Sequence, residues 1–368
     1  MKKKLKIVNV VGTRPQFVKM ALLDEAARSF PSLDFVVVHT GQHYDEKMSR
    51  VFFRELGISR PRHNLGVGSW EHTVQVAKMI ERLGAVLAKE SPDMVFVYGD
   101  TNSTLAGALA SAKMNIPLAH VEAGLRSFNR AMPEEVNRIV TDTLSDLLFC
   151  PTKTAVENLA KEGIRRGVFL VSDVMRDLLV RYARIARERS RILGSLGLKR
   201  RDYYLATVHR AKNTDELKRL KALARILGSL DRTVVFPLHP RTRKALAKND
   251  VPLASNIRAI EPVSYIDMLA LEMNAELILT DSGGLQKEAF FFRVPCVTLR
   301  EETEWVETVQ SGWNVLAGMD RLKISRAIER FSREWRFRKR GRCASRGTSA
   351  RRMLEIAVHF IKSRNVGR

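Results

Sequence analysis

The chain has 368 residues, 45% of them hydrophobic, which is enough for two domains with separate cores. No stretch approaches the roughly 20 consecutive apolar residues of a membrane-spanning helix, so no membrane role is expected. The formal charge of +23 is concentrated late in the chain: from Arg321 onward sixteen Lys and Arg face three acidic residues, which reads as a solvated basic helix face rather than a nucleic-acid-binding element.

The opening MKKKLKIVNVVGTRPQ joins a basic head to an apolar run of only six residues, followed by polar residues without a small-residue cleavage site. It predicts a buried first strand rather than a secretory leader. Further strands are predicted at DFVVVHT, DMVFVYGD, IPLAHVEAG and LLFCP, with helices over 15–29, 46–57, 72–90, 103–114, 133–146 and 152–162. A basic amphipathic helix over 174–195 leads to a second series of strands at YYLATVHR, TVVFPLHP, NIRAIEP, ELILTDSG, PCVTLR and NVLAG. A last helix is predicted over 349–362.

Strand-helix alternation of this kind predicts an α/β protein of two tandem Rossmann-like, doubly wound domains with mostly parallel sheets. The expected domains are 1–172, 173–345 and a basic helix over 346–368 that packs back on the first. Ligands bind such sheets at the carboxyl ends of the strands, so an interdomain active-site cleft is expected. There is no GxGxxG dinucleotide fingerprint. Cys150, Cys296 and Cys343 share no metal-ligand spacing, and the first two fall in strand-like runs. They read as reduced core thiols of a cytoplasmic protein that needs no metal and no cofactor.

The polar residues gather where strands end. In GTRPQ, Pro15 suits a first helical turn, and Arg14 and Lys19 stand beside a helix N-terminus that attracts anions. Asp100 in GDTNS is either an N-cap or a catalytic carboxylate. The stretch VEAGLRSFNRAMPEEVNR holds Glu122, Glu134, Glu135, Arg126, Arg130 and Arg138. Helical spacing puts Glu134 and Arg138 on one face, whereas Glu135 reads as an exposed first-turn acid. Arg126 and Arg130 either brace the loop or touch ligand. Ser282, Gly283 and Gly284 open a helix and give backbone N–H groups close access to phosphate, while Glu288, one turn on, is expected at sugar hydroxyls. His209-Arg210 and His239 end two strands of the second series.

Nine motifs occur in order from residue 6 to about 318: GTRPQ, HTGQHYD, GDTNSTLAG, HVEAGLRS, MPEEVNR, VHR, HPRT, TDSGGLQKEA and LREETEW. Together they resemble the non-hydrolysing UDP-N-acetylglucosamine 2-epimerases. The resemblance implies a GT-B-like fold, a UDP-sugar substrate and a homodimer. It places Arg14, Lys19, Arg138, His209, Ser282, Gly283 and Gly284 around UDP, and Glu288 at the ribose. Asp100, Glu122 and Glu134 correspond to essential carboxylates, with His209 in the catalytic group. Gln42, His43, Arg210 and His239 correspond to a second, activating UDP-sugar site. The sequence departs from the family pattern at Lys212 and Lys287, where Glu is usual, and at Ser172, where Gly often sits. Lys287 is expected on the exposed face. At Met268 an aromatic often stacks on the base, a place Tyr265 is positioned to fill.

The rival readings are a hydrolysing epimerase, an epimerase of a UDP-2,3-diacetamido uronic acid, and a GT-B glycosyltransferase.

Overall fold

The structure is a computed structural model that describes residues 4–42, 57–334 and 347–366. His43, most of the helix expected over 46–57, and Cys343 lie outside the described residues.

Two compact units divide the chain within a single helix, at Leu178. The first contains β1 (Leu5–Val11), α1 (Arg14–Ala27), β2 (Leu33–His39), β3 (His63–Asn64), α2 (His72–Glu90), β4 (Met94–Tyr98) and α3 (Asn102–Lys113). It continues through β5 (Leu118–Val121), α4 (Pro133–Leu144), β6 (Leu147–Cys150), α5 (Lys153–Lys161) and β7 (Val168–Leu170). Its seven strands run in the order β3-β2-β1-β4-β5-β6-β7, all parallel.

The strands are short β-branched runs because both faces are covered. Val8, Val10, Val36, Val38, Val95 and Val97 pack under Met79, Leu83 and Leu87 of α2. Each such buried side chain contributes about 1.5–3 kcal/mol. The edge strands β3 and β7 were not expected from the sequence; at two and three residues, neither fully buried, they carry too little periodic signal.

The helix over 174–189, α6 (Val174–Arg189), is shorter than predicted. The chain breaks at Ser190, whose hydroxyl donates to Asp267 at 2.6 Å, and a short α7 (Ile192–Ser195) follows.

The second unit comprises β8 (Tyr203–Thr207), α8 (Ala211–Thr214), α9 (Leu217–Gly228), β9 (Thr233–Pro237), α10 (Pro240–Lys248) and β10 (Ile257–Ile260). It continues with α11 (Tyr265–Asn274), β11 (Leu277–Thr280), α12 (Gly283–Phe292), β12 (Cys296–Thr298), α13 (Val306–Gln310), β13 (Asn314–Leu316) and α14 (Arg321–Glu334). Its six parallel strands run β10-β9-β8-β11-β12-β13. Tyr204, Phe236, Leu279, Leu227 and Phe331 form its core.

The last helix, α15 (Ser349–Val366), belongs to the first unit. It packs on α1, buries Met353, Leu354, Ala357 and Ile361, and is tied at its start by the Ser349 backbone N–H, which donates to Asp177 at 3.0 Å. Cys150 and Cys296 are buried free thiols, each pushed up to about 12 by that burial. No helix among the described residues is long and apolar enough to cross a membrane.

Candidate active site

Because all the strands are parallel, the loops after β1, β2, β4 and β5 leave the same edge of the first sheet. These loops carry Gln42, Asp100 and Glu122, and the first of them leads into α1, whose opening turns carry Arg14 and Lys19. The structure brings four of the candidates together. Lys19 and Glu122, both more than nine-tenths buried, form an ion pair, and Asp100 pairs with Arg138. Asp100 also acts electrostatically on Lys19 and Glu122.

Burial pushes the Glu122 carboxyl above its ordinary range; the Lys19 ammonium opposes this, and the Asp173 and Asp100 carboxylates add to it. Burial works against the Lys19 charge, but Glu122 outweighs it and keeps the ammonium above its ordinary value. Glu122 is held at φ +75°, a left-handed conformation that a side chain adopts at a cost and that clusters at functional positions. Gly99, at φ +63°, has no Cβ; one there would stand 3.2 Å from Lys19 Nζ and 3.4 Å from Glu122 Oε2.

Asp100 does not cap α3. Thr101 is the N-cap residue, in a capping box with Thr104, which leaves the Asp100 carboxylate to Arg138.

One expectation about the Glu-Arg stretch is corrected. Arg138 pairs with Glu135, its Nη2 donating at 2.6 Å and its Nε at 2.9 Å. Glu135 is 1% exposed, not a surface acid. Its carboxylate also accepts from the Ser127 N–H at 2.9 Å, the Ser127 hydroxyl at 2.9 Å and the Phe128 N–H at 2.8 Å. The loop folds back onto the first turn of α4, so its N–H groups need an acceptor there. Burial alone would raise the Glu135 carboxyl, but the Ser127 N–H, the Arg138 guanidinium and the Phe128 N–H hold it below its usual range.

Glu134 is half-buried on the first turn of α4. Arg126 is a brace: it is 2% exposed and bonds Asp142 at 2.7 Å and Glu162 at 2.6 Å. Arg130 is exposed.

In the second unit Ser282 caps α12, with its hydroxyl facing the Leu285 N–H at 3.5 Å, and Gly283 and Gly284 form the first turn. Gly283 has a packing reason of its own. A Cβ there would collide with Glu304 Oε1 and stand 3.2 Å from its carboxyl carbon, and Glu304 is held by Arg300 at 3.0 Å.

His209 is placed by Asp281. That buried carboxylate accepts the backbone N–H of His209 at 3.1 Å, that of Arg210 at 3.0 Å and the Asn213 amide at 3.1 Å, with His209 Nδ1 at 3.2 Å. Burial raises the Asp281 carboxyl, but His209 and these N–H donors bring it down to about 2. The His209 and His239 rings lie 5.4 Å apart, and His239 Nδ1 accepts the Arg241 N–H at 3.2 Å as the cap of α10.

Glu288 is 5% exposed and accepts the Tyr265 hydroxyl at 3.0 Å. Tyr265 is therefore not an open stacking face; it is buried against Glu288, and its ring meets Tyr182 edge-on at 6.0 Å. Beside Glu288 stands Glu272, fully buried, its carboxyl pushed well above the usual range first by burial and then by Glu288.

Lys287 is not exposed either. At 4% exposure its ammonium lies 3.8 Å from the Trp305 ring centre. Lys212 is exposed and pairs with Glu301 at 3.1 Å. Gln42 Oε1 accepts the Ser103 hydroxyl at 2.6 Å and the Ser103 N–H at 3.1 Å. Ser172 sits at φ +70°, a conformation glycine adopts without cost.

Sequence reasoning missed Asp173, Asp281 and Glu272, and misread Glu135. Only Asp281 had a signal, as the acid that ends a strand beside the Ser-Gly-Gly turn. Among the described residues no group of three His, Cys, Asp or Glu is placed to hold a metal ion.

The family model described as UDP-N-acetylglucosamine 2-epimerase matches residues 25–357. A UDP-N-acetylglucosamine 2-epimerase homolog from Methanococcus maripaludis is 49% identical over 89% of this chain and 93% of its own. The UDP-2,3-diacetamido-2,3-dideoxy-D-glucuronate 2-epimerase of Pseudomonas aeruginosa is 46% identical over 87% of this chain and 90% of its own. The crystal structure of the Methanocaldococcus jannaschii UDP-GlcNAc 2-epimerase, in complex with UDP-GlcNAc and UDP, superposes with a TM-score of 0.89 at 41% identity, covering 96% of this chain and 100% of that one. With the motifs, the two parallel α/β sheets and these matches in agreement, the chain belongs to the UDP-N-acetylglucosamine 2-epimerase family of isomerases and has its GT-B-like fold.

Proposed function

We propose that this chain interconverts UDP-N-acetylglucosamine and UDP-N-acetylmannosamine without hydrolysis. The observation that carries the reading is the charge cluster at the carboxyl edge of the first sheet. There Glu122 is pushed toward holding a proton, and the carboxylates of Glu122 and Asp100 are held by Lys19 and Arg138. Inverting carbon 2 means taking a hydrogen from one face and returning one to the other, and beside an acetamido group that hydrogen is barely acidic.

The chemistry becomes accessible if the bond from carbon 1 to the diphosphate oxygen breaks, the electron pair leaving with UDP. A carboxylate then takes the carbon 2 proton anti to the leaving group, giving a 2-acetamidoglucal. Return of a proton to the opposite face of carbon 2, with re-addition of UDP to carbon 1, gives the epimer. Two faces require two proton-handling groups, drawn from Asp100, Glu122 and Glu134. Arg14, Lys19, Arg138, His209 and the Ser282–Gly284 turn are assigned to the diphosphate, whose departing charge needs preplaced cations and N–H groups. Glu288 is assigned to the ribose. The homodimer belongs to the same reading, and the mass in solution checks it.

The test is incubation with UDP-N-acetylglucosamine in heavy water, followed by proton NMR. Both epimers should lose the carbon 2 proton signal, and Asp100→Asn, Glu122→Gln and Glu134→Gln should each slow that loss. Accumulation of free UDP and N-acetylmannosamine would make the enzyme hydrolysing, and absence of exchange in the folded protein would sink the substrate assignment. A second reading, a UDP-2,3-diacetamido uronic acid as substrate, is favoured by the identity to the Pseudomonas aeruginosa enzyme. Faster exchange on that sugar than on UDP-N-acetylglucosamine would select it.

A further inference from the structure

One buried side chain in the first unit is not among the groups assigned to this chemistry so far. His120 lies on β5, two residues before Glu122, and its side chain and that of Asp142 are wholly buried. Its Nε2 stands 2.8 Å from the carbonyl oxygen of Gly99, and its Nδ1 stands 2.7 Å from Asp142 Oδ1. A carbonyl only accepts, so Nε2 carries a hydrogen. The other Asp142 oxygen accepts the Gly124 N–H at 3.1 Å and an Arg126 N–H at 2.7 Å. The ring is thus fixed at both nitrogens, and Asp142 is fixed in turn by Arg126, which also pairs with Glu162.

These bonds converge on two loops. The Gly99 carbonyl belongs to the peptide that leads into Asp100, and the Asp100 carbonyl is held in turn by the Asn137 amide at 2.9 Å. The Gly124 N–H closes the turn that begins at Glu122. We propose that His120 is a positioning residue of the reaction, a ring fixed between Asp142 and the Gly99 carbonyl that sets the Asp100 and Glu122 loops together.

The proposal rests on the epimerase reading, because it assigns its effect to those two carboxylates. A displacement of about 1 Å in a reacting group can cost about 10²-fold in rate, which sets the size of the expected effect. The two amide replacements separate the two ring contacts. His120→Gln sets an amide N–H where Nε2 was, facing Gly99. His120→Asn sets its amide where Nδ1 was, facing Asp142, and leaves the Gly99 carbonyl unpaired.

The first measurement is nitrogen NMR on the full-length wild-type protein with labelled histidine, which needs no substrate. Of the eight histidines, one should show a hydrogen on Nε2 that is slow to exchange, and that signal should vanish in His120→Gln. The second is carbon 2 exchange kinetics with UDP affinity measured alongside. His120→Asn should lower kcat about 10²-fold and His120→Gln clearly less, with KM and UDP affinity unchanged in both. A bare Nε2 at His120, equal losses in the two variants, or loss of UDP affinity in step with rate would each overturn the proposal. If neither variant folds, Asp142→Asn, which loosens the same ring and keeps its Gly99 contact, is read in the same assay: a fall in kcat at unchanged KM supports the proposal, and an unchanged kcat overturns it. Wild-type protein that exchanges no proton on either UDP-sugar refutes the epimerase reading, and the nitrogen spectrum is unaffected by that outcome.

Discussion

Glu135→Ala is the sharpest test of the site as built. The substitution removes the acceptor of the Ser127 and Phe128 N–H groups and one of the two carboxylates that hold Arg138, itself 2% exposed. Removing one partner of a buried ion pair typically costs about 3–5 kcal/mol. Asp100 still faces Arg138, so the lower end applies. At about 2–4 °C per kcal/mol for a unit of this size, Tm should fall by about 6–12 °C at neutral pH. Carbon 2 exchange should fall with it, since Arg138 is then free to re-pair around Asp100.

The pH dependence has a definite sign. The Glu135 carboxyl lies below its ordinary value in the folded protein, so its stabilisation is present above the unfolded pKa and lost as pH falls through the folded one. The Tm gap between wild type and Glu135→Ala should therefore close on acidification. Thermal melts across pH 3 to 7 read both effects. A gap at neutral pH below about 2 °C, which corresponds to under about 1 kcal/mol, or one that widens in acid, would refute the account of Glu135 as the anchor of the loop.

Glu272→Gln should gain stability relative to wild type as pH rises from 5 to 8. The folded protein keeps a proton on Glu272 that the unfolded chain releases above the ordinary carboxyl value, so wild type loses stability with rising pH and the amide does not; a gap constant with pH in urea titrations would contradict this. Gly283→Ala should overpack against Glu304, costing about 1–3 kcal/mol, and weaken UDP binding by calorimetry; a melt indistinguishable from wild type would show that the contact is slack. Ser172→Gly should raise Tm slightly, because the left-handed conformation costs a side chain about 1–2 kcal/mol and glycine's extra unfolded-state entropy returns part of it. A lower Tm would mean that the Ser172 side chain contributes more than its backbone costs.

The strands were legible because parallel sheets covered on both faces need runs such as DFVVVHT, and the strand ends named the loops that matter. Sequence spacing failed where a distant segment decides burial. It put Glu135 on the surface, because nothing local shows that Ser127 and Phe128 fold over α4 and draw its carboxylate inward. It left Lys287 outside because the covering Trp305 comes from another loop. Asp100 stayed open between two roles because its neighbour Thr101 is also a capping residue, and only the backbone shows which one caps. The strain at Glu122 and Ser172 is visible only as a dihedral angle.

The placement of α15 bears on how the protein is made. Synthesis runs from the N-terminus, so the second unit emerges from the ribosome complete while the first still lacks the helix that covers α1 and ties Asp177 to Ser349. The unit that carries Asp100 and Glu122 is thus the first to be started and the last to be finished. A premature stop after α14 removes none of the described residues of the second unit's core. It strips instead the cover from the opposite end of the sequence, so late nonsense mutations act on the oldest part of the nascent chain.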